Sequence, residues 1–166
     1  MNEMKINMNN ISDVTKSLES KTLKVCVIGI GRIGLPTALS FAKSGLYTVG
    51  VDINETLVQK INSGEFPLKD EPGYENIFDD VLKAKKFIAT TKIEDAVPNS
   101  DLILLSLPTP MDENKKPNLK PLKRCSETVA KVLNKGDTKM VLTPCFFFII
   151  ISFKECADPI NRNFFF

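Results

Sequence analysis

Residues 24–36 read Lys-Val-Cys-Val-Ile-Gly-Ile-Gly-Arg-Ile-Gly-Leu-Pro, and residues 47–52 read Tyr-Thr-Val-Gly-Val-Asp. Val25 to Ile28 is a short, largely β-branched apolar run, the pattern of a parallel strand buried on both faces. Gly29, Gly31 and Gly34 follow it in the spacing GxGxxG. That spacing serves a tight turn, close backbone approach to a pyrophosphate, and close packing of helix on strand. A helix opening at this turn directs its unbonded N–H groups and positive dipole end toward any phosphate placed there. Pro36 in its first turn sacrifices no hydrogen bond. Ala38, Leu39, Phe41 and Ala42 form the buried face, and Gly45 suits the left-handed residue that ends the helix.

The second strand, Tyr47 to Ile53, carries Asp52 at its end. A carboxylate in that place accepts both hydroxyls of an adenosine ribose and repels a 2′-phosphate, which favours NAD over NADP. Glycine-rich turns also occur in sheets that bind nothing. Here the preceding strand, the following helix and the placement of Asp52 together argue for a dinucleotide site.

Outward from this unit, Asn54 can cap a helix through Leu57, Val58 and Ile61, closed by Gly64. Residues 65–74 hold two prolines and a glycine and read as an irregular loop before a helix over about 75–85. Phe87 to Thr91 is a third strand, Ile93 to Val97 one or two helical turns, and Asp101 to Leu107 a fourth strand. Pro108-Thr109-Pro110 follows it, either as a second wall of the site or merely as a rigid exit turn. After a polar excursion over 112–116, Leu119, Leu122, Val129, Val132 and Leu133 fit a helix ended by Gly136, and Lys139 to Thr143 begins a fifth strand. Alternating strands and helices imply an α/β fold, a Rossmann-type doubly wound parallel sheet of order 3-2-1-4-5. In that order the crevice lies beyond the carboxyl ends of the first and fourth strands.

The chain has 166 residues, 43% hydrophobic and 25% charged, with a formal net charge of +2. This is the balance of one ordinary globular domain, and the lysines are interspersed with acids rather than aligned as a phosphate-tracking stripe. Nucleic acid is therefore not an expected partner. There is no histidine, and the four cysteines, Cys26, Cys125, Cys145 and Cys156, form no CxxC pair, which leaves neither a zinc site nor a Cys/His nucleophile pair. Cys26 reads as a small buried apolar residue, and the cysteine usage fits a reducing cytoplasm. Residues 1–22 lack the apolar core of a signal peptide and read as a loose arm, with Ile11, Val14 and Leu18 hinting at one helix.

Four local patterns resemble the amino-terminal, NAD-binding domain of the UDP-glucose/GDP-mannose dehydrogenase family. They are Gly-Arg-Ile-Gly-Leu-Pro-Thr-Ala at 31–38, Val-Asp-Ile-Asn at 51–54, Ile-Asn-Ser-Gly-Glu-Phe-Pro with Glu-Pro-Gly between 61 and 73, and Leu-Pro-Thr-Pro at 107–110. The resemblance implies NAD contacts from Gly29, Gly31, Arg32, Ile33, Gly34, Asp52, Ile53, Leu107, Pro108 and Thr109. The proline before Thr109 is similar to members that oxidise UDP-N-acetylmannosamine rather than UDP-glucose or GDP-mannose. Such enzymes oxidise C6 of a nucleotide sugar to a carboxylate with two NAD⁺ and a covalent cysteine thioester, and they serve polysaccharide biosynthesis. The family's catalytic cysteine, glutamate and lysine and its dimerising helix belong to regions beyond Val141, where the resemblance fails, so no catalytic residue is assigned. On this reading the chain is inactive alone and a nucleotide sugar binds only a full-length parent.

The resulting division is an arm (1–22), an NAD-binding domain (23–143) and a tail (144–166). Seven of the eleven phenylalanines lie in that tail, which looks like an aberrant end. Its apolar stretch, residues 145–153, is far shorter than the roughly 20 residues a membrane span requires. A sheet stopping at its fifth strand would expose an edge. Two other functions fit less well: a stand-alone NAD-binding or partner-binding module, and a Rossmann dehydrogenase of β-hydroxyacid type, which lacks the patterns around Gly73 and Thr109.

Overall fold

The computed structural model describes residues 6–8, 10–70, 73–111, 113, 115–133, 138–142 and 148–152, with backbone only at 138 and 148–152. Expectations resting on Glu71, Pro72, Asp112, Gly136, Thr143, Pro144, Cys145 and Cys156 fall outside these residues. The parallel strands are β1 (Lys24–Ile28), β2 (Tyr47–Val51), β3 (Phe87–Thr90), β4 (Leu102–Leu105) and β5 (Thr138–Leu142). They lie in the order 3-2-1-4-5, as the alternation of elements requires.

The helices are α1 (Ile11–Glu19), α2 (Gly34–Lys43), α3 (Glu55–Asn62), α4 (Tyr74–Lys83), the single turn α5 (Ile93–Ala96) and α6 (Lys120–Val132). Successive residues of β1 point to opposite faces, which is why the strand has no polar side. Val25 and Val27 enter a core with Leu35, Leu39, Ile61 and Phe78. Cys26 and Ile28 enter a second core with Val97, Ile103, Leu122 and Val129 on the other face. Each core therefore grips the central strand from one side, and the loops at its carboxyl end inherit that rigidity.

Two expectations are revised. The sheet does not stop at β5: Phe148–Ser152 forms β6, antiparallel to β5, so the edge expected to be open is covered. The stretch before β1 is not wholly a loose arm. Asn10 caps α1 by accepting from the Ser12 N–H at 3.0 Å, Met8 is buried in the first core, and Val14 packs against it. Ile11 remains 85% exposed, so the face that docks is centred on Val14 and Ser17.

Elsewhere the boundaries shift by one to two residues. Asn54 caps α3 as expected, its Oδ1 accepting from the Leu57 N–H at 3.1 Å. Leu119 stands just before α6 rather than inside it, and Pro121 occupies the helix's first turn, where it removes no internal bond.

Candidate functional site

The carboxyl ends of β1 and β4 lie side by side, with Ile28 level with Leu105. Backbone bonds from Gly29 N–H to Val51 O and from Ser106 N–H to Ile28 O, both 2.7 Å, carry the sheet one residue further before the chains part. The glycine turn then rises between them and enters α2.

Each glycine meets a different constraint. Gly29 has φ +89°, the left-handed region, and a Cβ there would strike the Ser106 carbonyl. A Cβ on Gly34 would strike the carbonyl of Gly29 and lie 3.2 Å from the Ser106 side chain. That residue is thus the close contact of α2 with the turn and β4. Gly31 differs, because a Cβ there meets no atom within 4 Å. A Cβ therefore collides with the protein itself at Gly29 and Gly34 but not at Gly31. At Gly31 the protein itself makes no demand for a bare backbone.

Two groups fix the turn from outside it. Asp52 Oδ2 accepts from the Ile30 N–H at 3.1 Å, while Oδ1 accepts from Asn54 N–H at 3.0 Å. Each oxygen keeps a lone pair for a further donor. The Ile30 side chain is fully buried and sits over Gly50, where a Cβ would come within 2.9 Å of Ile30 Cγ2 and 3.0 Å of Phe87. Gly50 was missed as a site-supporting residue, although a glycine in the middle of a strand signals close approach by another group.

Around this centre, Arg32 and Ile33 are exposed, Ile33 by 69%, and Ile53 is 96% exposed beside Asp52. No side chain caps α2 at Ile33; in its first turn the Leu35 N–H bonds to Gly31 O at 3.0 Å and Pro36 carries no N–H. Leu107 and Thr109 are half-buried, while Pro108 and Pro110 are exposed. The segment after β4 folds back through a bridge between Met111 and Pro117, with Asn118 N–H bonded to Pro110 O at 2.7 Å. The ten expected contact residues thus gather at one end of the sheet, on the turn, the end of β2 and the exit of β4.

Neither described cysteine belongs to this site. Cys26 is fully buried, and burial, reinforced by the charge of Cys125, pushes its thiol up to about 12 from 9.0. Burial likewise raises Cys125 to about 11. Both stay protonated near neutrality, which suits packing and not nucleophilic attack.

A buried central strand, a glycine turn opening an uncapped helix and an acid ending the adjacent strand define a dinucleotide-binding Rossmann domain. Residues 23–144 match the UDP-glucose/GDP-mannose dehydrogenase family, NAD binding domain, and the chain belongs to that family. It is 42% identical over 115 residues to a UDP-N-acetyl-D-mannosamine dehydrogenase of Campylobacter jejuni, covering 69% of this chain and 27% of that protein. It is 35% identical over 117 residues to a UDP-N-acetyl-D-glucosamine 6-dehydrogenase of Pseudomonas aeruginosa, covering 70% and 26%. The solved UDP-D-ManNAc dehydrogenase of Pyrococcus horikoshii superposes with a TM-score of 0.65 at 35% identity, over 73% of this chain and 28% of that one. The chain therefore spans about a quarter of the length of the curated relatives it matches. Among the described residues, no helix is long and apolar enough to cross a membrane.

Proposed function

We propose that this chain supplies the cofactor-binding domain of a cytoplasmic dehydrogenase that oxidises a UDP-N-acetylhexosamine, UDP-N-acetylmannosamine being favoured. The open face of Gly31 carries the reading. A glycine that nothing inside the protein requires, at the mouth of an uncapped helix, has its explanation in what approaches from outside. A pyrophosphate fits there, against the bare backbone of Gly31 and the positive dipole end of α2. Asp52 has one lone pair left on each oxygen for the ribose hydroxyls, and Ile53 offers an apolar surface beside it for the adenine. NAD held by these residues would supply the hydride acceptor for the oxidation. The turn orients the cofactor, and the exit of β4 at Pro108 and Thr109 forms the wall between cofactor and substrate. The substrate class is supported by the relatives' names and by the proline before Thr109.

The test is calorimetric titration of NAD and NADP into the wild-type chain and Asp52→Ala. Wild type is expected to bind NAD and to discriminate against NADP. Asp52→Ala is expected to weaken NAD about tenfold while narrowing that discrimination, because removing the carboxylate removes ribose acceptors and also repulsion of the 2′-phosphate. A general loosening of the fold would weaken both cofactors alike. An unchanged NAD:NADP ratio therefore rejects the assignment of Asp52.

A further inference from the structure

The loop following α3 brings a carboxylate to the mouth of the glycine turn. Its root is fixed by Phe66, which is buried and meets the Phe78 ring of α4 with centroids 5.4 Å apart. Its far end delivers Asp70 Oδ2 to within 3.6 Å of Arg32 Nη2. Arg32 directly follows Gly31, whose face is open, and is separated from α2 by one residue. The two side chains are 72% and 87% exposed, and the separation is longer than a hydrogen bond, so water screens the pair and it is easily exchanged.

We propose that Asp70 is an affinity-determining residue for the cofactor, acting as a competitor for the Arg32 guanidinium. This rests on the reading of the turn as a pyrophosphate site. A guanidinium forms forked, charge-assisted bonds to phosphate oxygens, and a pyrophosphate presents two negative charges where Asp70 presents one. A pyrophosphate-bearing ligand arriving at Gly31 therefore draws Arg32 away from Asp70. The released Asp70 carboxylate remains nearby and opposes the incoming charge. The pair holds affinity below what the turn and Arg32 would give by themselves. It also keeps Arg32 from serving other anions while the cofactor is absent.

The experiment is a double-mutant cycle of NAD and ADP-ribose binding to wild type, Asp70→Asn, Arg32→Ala and the double variant, at low and high salt. Asp70→Asn is expected to tighten both ligands by about two- to fivefold at low salt, the range set by exposed ion pairs. The gain should shrink as salt screens the charges. Arg32→Ala is expected to weaken both, and adding Asp70→Asn to it should change nothing further. Asp70→Asn binding equal to or weaker than wild type overturns the proposal. So does an equal gain in the Arg32→Ala background, since the carboxylate would then act without the guanidinium. If wild type binds NAD while Asp70→Asn is indistinguishable from it, only this role of Asp70 falls. If no variant, wild type included, binds NAD or ADP-ribose, the pyrophosphate reading falls and takes this one with it.

Discussion

Gly31 and Gly34 are the same residue for opposite reasons, and substitution separates them. A methyl group on Gly34 runs into the Gly29 carbonyl, which is backbone and cannot rotate away, whereas one on Gly31 meets nothing within 4 Å. Gly34→Ala is expected to cost about 1–3 kcal/mol or more of stability, as overpacking does. Gly31→Ala should stay within about 0.5 kcal/mol of wild type, as exposed substitutions do. Cofactor binding should respond in the contrary sense, with Gly31→Ala losing most of its NAD affinity although fully folded. Thermal unfolding and NAD titration of the two variants check this, and a Gly31→Ala variant that binds NAD normally would remove the case for a pyrophosphate at that face. The three glycines and Asp52 were legible because their demands are local and their spacing is fixed by the strand-turn-helix unit. The three roles of the glycines were legible too; the atoms that enforce them at Gly29 and Gly34 were not, since they include Ser106, which the chain brings alongside only after β4 has paired with β1.

At the scale of elements, β3 is the terminal parallel strand and its outer side would offer unpaired backbone groups. Asn62, the last residue of α3, answers for part of it. Its side-chain amide donates to Ala89 O at 2.8 Å and accepts from Ala89 N–H at 3.0 Å, imitating one residue of a further strand. Asn62→Ala leaves both Ala89 groups without this partner and is expected to cost about 1–2 kcal/mol, while Asn62→Asp, which keeps only the acceptor, should fall between. Urea unfolding midpoints of the three proteins decide it; equal midpoints would mean that water substitutes freely at this edge. From the sequence Asn62 was visible only as part of the pattern following Ile61, because its partner lies 27 residues away. The order of strands could be read from alternation and handedness, but which side chains stitch neighbouring elements together could not. Lys139 is a second case: it is buried, and its ammonium donates to the Pro98 and Ser100 carbonyls, tying β5 to the turn before β4.

For the molecule as a whole, two cores on opposite faces of one sheet make stability depend on keeping both dry. The second core contains Cys26, whose thiol titrates at about 12 in the fold against 9.0 when exposed. An acid whose pKa is raised by folding gives its full contribution below its unfolded value and loses it as pH climbs toward the folded one. The stability advantage of wild type over Cys26→Ala is therefore expected to be constant up to about pH 9 and to shrink above it, read from denaturant midpoints at pH 7, 9 and 10.5. A constant difference across that range would show that the thiol is open to solvent. The sixth strand is the feature of the whole that the sequence did not disclose. A run of apolar residues after β5 satisfies several structures equally, and its antiparallel return along β5 is a choice made by the edge already present. Finally, the glycine turn is anchored from beneath by Ile30 over Gly50 and from the side by Asp52. The backbone of a loop held in this way has no rearrangement to complete when a ligand arrives, and only the exposed Arg32 side chain has to exchange partners. Encounter should then proceed at the speed of diffusion and alignment, and differences among dinucleotides should be expressed in how long each one stays.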